Sequence, residues 1–239
     1  MKNVLITGAT GGIGQSLVKV FHSNGHNICA TGTNIEKLSL LEETYKERFL
    51  GIKCDLSDQA EIENLVKKSS EYYGSTDILI NNAGITKDNL FIRMKDDEWN
   101  EVINLNLNSN YKLTKIIIKD MIKLKWGRVI NISSDAAKIG NPGQSNYVAA
   151  KAAIEGMTRT IANEVASRGI TVNCVAPGFV NTEILDTIEE KRLGIMKDKI
   201  PLGRVGTVDE ISSAVYFLSS EESSYITGQV LHVNGGLTM

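Results

Sequence analysis

Tyr147 and Lys151 stand four residues apart in the run Asn146-Tyr147-Val148-Ala149-Ala150-Lys151. On a helix that spacing puts both side chains on one face, about one turn apart. A free tyrosine has a pKa of about 10, too high for ready proton exchange near neutrality. An ammonium close by favours the phenolate, and each unit of depression corresponds to about 1.4 kcal/mol. The pair is thus a candidate general acid/base for a carbonyl or an alcohol. Such pairs also arise by chance. This one gains weight from Ser134 and Asn106 upstream, and from a glycine-rich signature near the start of the chain.

That signature is Thr7-Gly8-Ala9-Thr10-Gly11-Gly12-Ile13-Gly14, between a strand-like run and a helical one. Glycines let the backbone approach a pyrophosphate, and the helix start offers free N–H groups and a positive dipole end. Gly8, Gly12 and Gly14 are a spacing variant of the Rossmann fingerprint, so Gly8, Thr10, Gly12, Ile13 and Gly14 are expected to hold a dinucleotide. The second strand ends Ala30-Thr31-Gly32-Thr33-Asn34. NAD sites usually place Asp or Glu here, about 20 residues past the glycines. No acid occupies 31–34, and hydroxyls such as Thr33 could receive a 2′-phosphate, which points to NADPH. Lys37 could add charge or simply be solvated. In Cys54-Asp55-Leu56, Asp55 either accepts an adenine amino group or caps the next turn, with Leu56 beside it. Asn82, Ala83 and Gly84 close the fourth strand with small side chains that leave room for the adenosine ribose.

The elements that must position these residues alternate. Strand-like runs fall at Val4–Thr7, Asn27–Thr31, Leu50–Cys54, Ile78–Asn81, Arg128–Ser133, Thr171–Ala176 and Gln229–Val233. Helical spacing falls near Ile13–Asn24, Ile35–Glu47, Gln59–Tyr73, Asp97–Lys123, Asn146–Arg168 and Val208–Ser219. Runs that are apolar throughout, such as Ile78-Leu79-Ile80, suit parallel strands buried on both faces. The expectation is α/β: one Rossmann-type, doubly wound parallel sheet of about seven strands with helices on both faces, spanning residues 1–239 as a single domain. Ligands in such folds bind beyond the carboxyl ends of the strands. Residues 181–199 are polar with interspersed apolar positions. They read equally as a mobile substrate lid and as a surface amphipathic helix.

Composition narrows the function classes. The chain has 239 residues, 42% of them hydrophobic, and a net charge of −2. That is enough for a sizeable core and gives no electrostatic reason to expect nucleic acid. No run approaches the roughly 20 apolar residues of a membrane span. Met1-Lys2-Asn3-Val4 leads straight into a strand without a signal-like segment, so the expected compartment is the cytoplasm. Cys29, Cys54 and Cys174 are scattered and read as buried free thiols. His22, His26 and His232 are scattered too and read as surface or packing residues. No metal site is expected.

Taken together, Thr7–Gly14, Asn81–Gly84, Asn106, Ser134, Tyr147 with Lys151, and Pro177-Gly178 resemble the short-chain dehydrogenase/reductases. Further stretches resemble the bacterial members that reduce 3-oxoacyl groups on acyl carrier protein. They are Gly140 to Tyr147, Glu164 to Asn173, Tyr225 to Gln229 and His232 to Gly236. The resemblance implies NADPH-dependent reduction of such a thioester in fatty-acid synthesis. It implies that Tyr147 gives the carbonyl oxygen a proton as hydride arrives, and that Ser134 hydrogen-bonds that oxygen. Lys151 lowers the tyrosine pKa and holds the nicotinamide ribose, and Asn106 supports a water chain through Lys151. Ser133 is adjacent, but the family spacing of thirteen residues before the tyrosine assigns Ser134. Hydroxyls aimed at the oxygen would stabilise the charge that hydride addition builds there.

The resemblance further implies cofactor contacts from Pro177, Gly178, Val180 and Thr182, and a substrate-side contact from Gln144. Lys125 and Arg168 match positions that meet the acidic carrier. Lys125 stands where arginine is usual, which keeps the charge but loses the bidentate fork. Gly11 stands where many NADPH-dependent members have a basic residue. A homotetramer is implied, using the helix that carries Tyr147, where Ala149, Ala152, Ala153 and Gly156 would allow close approach of a partner or of a neighbour in the same chain. The competing readings are a related reductase of acetoacetyl-CoA, a sugar or another small ketone, and a nucleotide-binding scaffold without chemistry. The intact Tyr147–Lys151 pair speaks against the scaffold.

Overall fold

Strand and helix alternate along the chain in the computed structural model, which describes residues 1–181, 194 and 197–239. The strands are β1 (Asn3–Thr7), β2 (Asn27–Gly32), β3 (Phe49–Lys53), β4 (Ile78–Asn81), β5 (Gly127–Ile132), β6 (Ile170–Pro177) and β7 (Val230–Val233). They form one sheet in the order β3-β2-β1-β4-β5-β6-β7, and every neighbouring pair is parallel. The helices are α1 (Gly12–Ser23), α2 (Ile35–Tyr45), α3 (Gln59–Tyr73), α4 (Asp96–Ile103), α5 (Ser109–Leu124), α6 (Ala136–Ile139), α7 (Ser145–Val165) and α8 (Val208–Ser219).

Successive strand residues point to opposite faces. Val4, Ile6, Ile78, Ile80 and Ile130 pack on one face with Leu17 and Phe21 of α1, Leu38 of α2, and Val215 of α8. Leu5, Leu79 and Val129 pack on the other with Ile62 of α3, Leu113 and Ile117 of α5, and Val165 of α7. Strands buried on both sides must be apolar throughout, which is why their sequences lack alternation. The chain runs outward from β1 in both directions, so the switch point lies between β1 and β4.

Two predicted boundaries shift for physical reasons. The helix expected to run to Glu47 ends at Tyr45, because Lys46 and Arg48 take positive φ (49° and 57°) to turn into β3. The single helix expected over 97–123 is broken by a π turn at Asn104–Asn108, where the Ser109 N–H bonds Asn104 O, five residues back. Cys29, Cys54 and Cys174 are free and buried, as expected. Among the described residues, no helix is long and apolar enough to cross a membrane.

Candidate active site

The cleft begins where β1 ends. Gly8 turns the chain at φ 63°, and a Cβ there would lie 2.8 Å from Ala83 Cα. A Cβ on Gly14 would lie 2.2 Å from Gly8 O, so the loop and the start of α1 fit only as glycine. Asn82 donates to Thr7 O (3.0 Å) and Gly8 O (3.1 Å), and Thr7 Oγ1 accepts from Asn82 N (2.9 Å) and Ala83 N (3.0 Å). Asn82 therefore builds the glycine loop as well as lining it. Helix α1 has no side-chain cap and no acid in its first turn. Its free N–H groups and dipole end suit an anion.

The same cleft, about 730 Å³, is lined by Gly8, Thr10, Gly12, Ile13, Gly14, Thr33, Leu56, Asn82, Ala83, Gly84, Ser134, Tyr147, Lys151, Pro177, Gly178 and Val180. These predicted residues come from six strand ends and from α7, and meet beyond the carboxyl edge of the sheet. Its floor opposite the glycine loop is set by Gly84, where a Cβ would meet Asn106 Oδ1 at 3.4 Å and Lys151 Nζ at 3.5 Å. An elongated phosphate-bearing dinucleotide fits this shape, with the glycine loop for its pyrophosphate and the Tyr147–Lys151 end for its nicotinamide. Asp55 caps the following turn: its Oδ1 accepts from Ser57 N (2.9 Å) and Ser57 Oγ (2.7 Å), and those bonds hold its pKa down. Cys54 and Leu56, on either side, line the cleft. Asn34 caps α2 by accepting from Lys37 N at 2.9 Å.

The catalytic candidates meet on α7 and the end of β5. Tyr147 and Lys151 share one face, with Lys151 Nζ 5.6 Å from the tyrosine ring centroid. The ammonium is buried and donates to Ile132 O at 2.7 Å. Burial pulls its pKa down to about 8. Tyr147 corrects the expectation that lysine makes the phenol more acidic. Burial pushes its pKa up, a hydrogen bond with Ser134 pulls the other way, and Asp88 pushes it further up. The desolvated ammonium points at a carbonyl, and burial is the largest influence on both groups. Ser134, half-buried, is the serine that reaches Tyr147, whereas Ser133 Oγ is buried and donates to Glu155 Oε1 at 2.7 Å.

Asn106 sits in the π turn, 1% exposed, and both ends of its side chain bind one backbone residue. Oδ1 accepts from Ile85 N (2.8 Å) and Nδ2 donates to Ile85 O (2.9 Å). The inserted residue of the π turn brings this amide to the loop after β4. Gln144 does not line the cleft. Its Nε2 donates to both Asp88 oxygens, at 3.0 and 2.9 Å.

Lys125 and Arg168 are exposed neighbours: a Cβ on Gly169 would lie 2.6 Å from Lys125 O. They precede β5 and β6, at the amino edge of the sheet, roughly 20 Å from the cleft by strand length. On α7, Ala152 and Ala153 are exposed, and a Cβ on Gly156 would meet nothing within 4 Å, so this stripe faces outward rather than into the chain's own packing. Thr182 and most of 181–199 lie outside the described residues. No group of His, Cys, Asp or Glu suited to a metal occurs among the described residues.

Several supporting residues have no local sequence signal. Asn146 is fully buried. It donates to Lys87 O and Glu98 O (both 3.0 Å), and its Oδ1 accepts from Tyr147 N at 2.7 Å, fixing the start of α7. Beneath the cleft Asn81, Asn131 and Cys174 stand side by side in register on β4, β5 and β6. Asn81 Nδ2 donates to Asn131 Oδ1 (2.8 Å) and Thr114 Oγ1 (3.0 Å), Asn131 Nδ2 to Thr158 Oγ1 (2.8 Å), and Thr158 Oγ1 meets Cys174 Sγ at 3.1 Å. This polar belt locks α5 and α7 to the strand ends. His232, read as a packing residue, is hydrogen-bonded through Nδ1 to the buried Asp135.

Comparison with known proteins agrees with this geometry. The family model described as Enoyl-(Acyl carrier protein) reductase, a short-chain dehydrogenase/reductase group, matches residues 8–238. The chain is 48% identical over 238 residues to the 3-oxoacyl-[acyl-carrier-protein] reductase of Rickettsia typhi, covering 100% of this chain and 97% of that protein. It is 44% identical over 239 residues to the enzyme of that name from Salmonella typhimurium, covering 100% and 98%. It is 43% identical over 238 residues to Nodulation protein G of a Rhizobium species, covering 100% and 97%. With a seven-stranded parallel sheet, a glycine-shaped cleft at its carboxyl edge and these matches over essentially the whole chain, the protein belongs to the short-chain dehydrogenase/reductase family.

Proposed function

We propose that this chain reduces 3-oxoacyl groups borne on acyl carrier protein, using NADPH, in fatty-acid synthesis. The observation that carries the reading is the convergence of Ser134, Tyr147 and Lys151 at one end of a cleft whose other end is a glycine-shaped phosphate cradle. A bound nicotinamide supplies the hydride. Gly8, Gly12, Gly14 and the α1 N-terminus would hold its pyrophosphate, and Thr33 would receive the adenosine phosphate. Pro177, Gly178 and Val180 back the nicotinamide end.

Tyr147 keeps its proton at neutral pH because its phenol is pushed up, which suits an acid in the reducing direction. It gives that proton to the carbonyl oxygen while Ser134 donates a second hydrogen bond to the same atom. Lys151, brought to about 8, can give a proton and recover it near neutrality, replenishing Tyr147. Asn106 holds the Ile85 backbone beside Lys151 and supports that return path.

The matching family's description names double-bond reduction, whereas two of the relatives named above carry names for carbonyl reduction. Two hydroxyls in contact, able to meet one oxygen, favour the carbonyl. The carrier partner rests on Lys125 and Arg168 and on the relatives' names. Because these cations lie at the amino edge, docking there serves the chemistry only if another copy brings its cleft to that edge. The outward Ala152–Ala153–Gly156 stripe and the exposed Tyr111 support such an assembly, a homotetramer in this reading. The setting in this reading is the cytoplasm.

The test is steady-state kinetics on a four-carbon 3-oxoacyl group, carrier-linked and CoA-linked, with NADPH and NADH in parallel. The expected result is a higher kcat/KM for the carrier-linked substrate with NADPH. Equal values for both thioesters would favour the small-ketone alternative, and no turnover despite tight NADPH binding would leave a scaffold.

A further inference from the structure

Asp135 follows Ser134 directly, and its side chain is 3% exposed. It occupies the residue before α6, where an aspartate ordinarily caps the helix by accepting from its first N–H groups. Here it makes no such cap. Ser134 Oγ accepts from Ala136 N instead, at 3.2 Å. The Asp135 carboxylate turns the other way, to the end of β7. Oδ1 meets His232 Nδ1 at 2.5 Å, and Oδ2 accepts from Asn234 Nδ2 at 2.6 Å. Its backbone is fixed as well: Asp135 N donates to Pro177 O (3.0 Å), and its carbonyl accepts from Lys138 N (2.9 Å) and Ile139 N (3.1 Å).

Asn234 is itself braced. Its Nδ2 also donates to Thr238 Oγ1 at 2.9 Å, and its Oδ1 accepts from Gly236 N at 2.9 Å. A Cβ on Gly178 would strike Asn234 Cβ at 2.8 Å, so β7 and the Pro177–Gly178 turn are pressed together here. The residues around Ser134 are therefore tied to β7 through one carboxylate with two bonds, across sequence separations of 97 and 99 residues.

We infer that Asp135, clamped by His232 and Asn234, is a positioning residue that holds the Ser134 hydroxyl toward Tyr147 and the substrate carbonyl. The inference rests on the carbonyl-reduction reading. The carboxylate leaves the start of α6 uncapped and binds His232 and Asn234 instead, directly beside the reacting serine. If the clamp is lost, α6 is free to take the carboxylate as its cap, and Ser134 Oγ loses its fixed direction. Small displacements of a group that meets the developing oxyanion lower the rate of the chemical step and leave dinucleotide binding alone.

The experiment compares His232→Leu with His232→Asn, whose amide can still donate to Asp135, and adds Asp135→Asn. Turnover is read on a 3-oxoacyl thioester, and NADPH affinity by fluorescence. The expected result is a kcat about tenfold or more lower for His232→Leu, with KM and NADPH affinity within about twofold and kcat largely rescued in His232→Asn. Equal kcat losses in the two His232 variants, or a loss matched by weaker NADPH binding, would overturn the inference and leave a purely structural clamp. Should His232→Leu fail to fold, Asp135→Asn decides: wild-type kcat overturns the positioning role, and a lowered kcat at unchanged NADPH affinity supports it. A wild-type chain that turns over no 3-oxoacyl thioester would instead bring down the functional reading, and this inference with it.

Discussion

Around β1 and α1 the cleft is shaped by missing side chains; around β5 and α7 it is shaped by side chains bonded to one another. Gly8 and Gly14 make room by having no Cβ, Gly8 for Ala83 at the end of β4 and Gly14 for the backbone of Gly8 six residues before it. The other side depends on Asn146 reaching Lys87 and Glu98, on Asn131 reaching Thr158, and on Asp135 reaching His232. A phosphate cradle needs backbone N–H groups in the right place, which a local turn supplies. Proton transfer needs oriented side-chain atoms, and orientation in a buried site comes from satisfied hydrogen bonds. The two sides should therefore fail differently.

The largest separation of the two is expected from Tyr147→Phe. It should lower kcat about 10³-fold while NADPH affinity, read by fluorescence titration, stays within about twofold. Activity near wild type would mean that the proton comes from elsewhere. Gly14→Ala should do the reverse. Its Cβ meets Gly8 O, which cannot yield without moving the loop, so dinucleotide affinity should fall about 100-fold, equivalent to about 2.7 kcal/mol.

Lys151→Met probes stability on the catalytic side. The folded pKa of about 8 lies below the unfolded value, so the unfolded chain binds more protons between pH 8 and about 10.4. Stability then rises with pH through that window, and burying the charge is a cost that is largest below it. Removing the charge should relieve on the order of 3 kcal/mol at pH 7, offset by about 1 kcal/mol for the lost bond to Ile132 O. Urea denaturation should show the variant more stable at pH 7 and the advantage gone by pH 10. An advantage independent of pH would mean the lysine is not desolvated.

Asn146→Ala should lower kcat about tenfold with little change in NADPH affinity, since only the start of α7 is loosened. An effect of similar size, but on KM and confined to one substrate, is expected from Lys125→Glu with Arg168→Glu. It should raise KM for a carrier-linked substrate about tenfold at low salt, and less at high salt, without altering kcat on a CoA thioester. Equal changes for both substrates would remove the docking role.

Much of the fold was legible because it rests on local signals. The all-apolar strands and most of the helical periodicities place their elements to within a few residues. The glycine cradle was legible for the same reason. Tyr147, Lys151, Ser134 and Asn106 could be picked out by spacing and resemblance, but not the way they are held. The buried amide belt, the Asp135–His232 pair and the Gln144–Asp88 contact join residues 27 to 97 positions apart. No periodicity encodes such pairings. The acidity of Tyr147 was misjudged for a related reason: spacing gives the neighbour of a group but not its burial, and burial is the largest influence on both Tyr147 and Lys151.

The π turn at Asn104–Asn108 also bears on how this chain can change. A π turn is an α-helix carrying one surplus residue, and its hydrogen bonding is poorer than that of its flanks. Deleting a single codon there would heal the helix and keep both ends in phase, so the shortened protein should fold readily. It would also swing the Asn106 amide away from Ile85 and loosen the strand end beside Lys151. The easiest repair of the backbone is thus expected to lower turnover while keeping the fold, which kcat and urea denaturation of the one-residue deletion check.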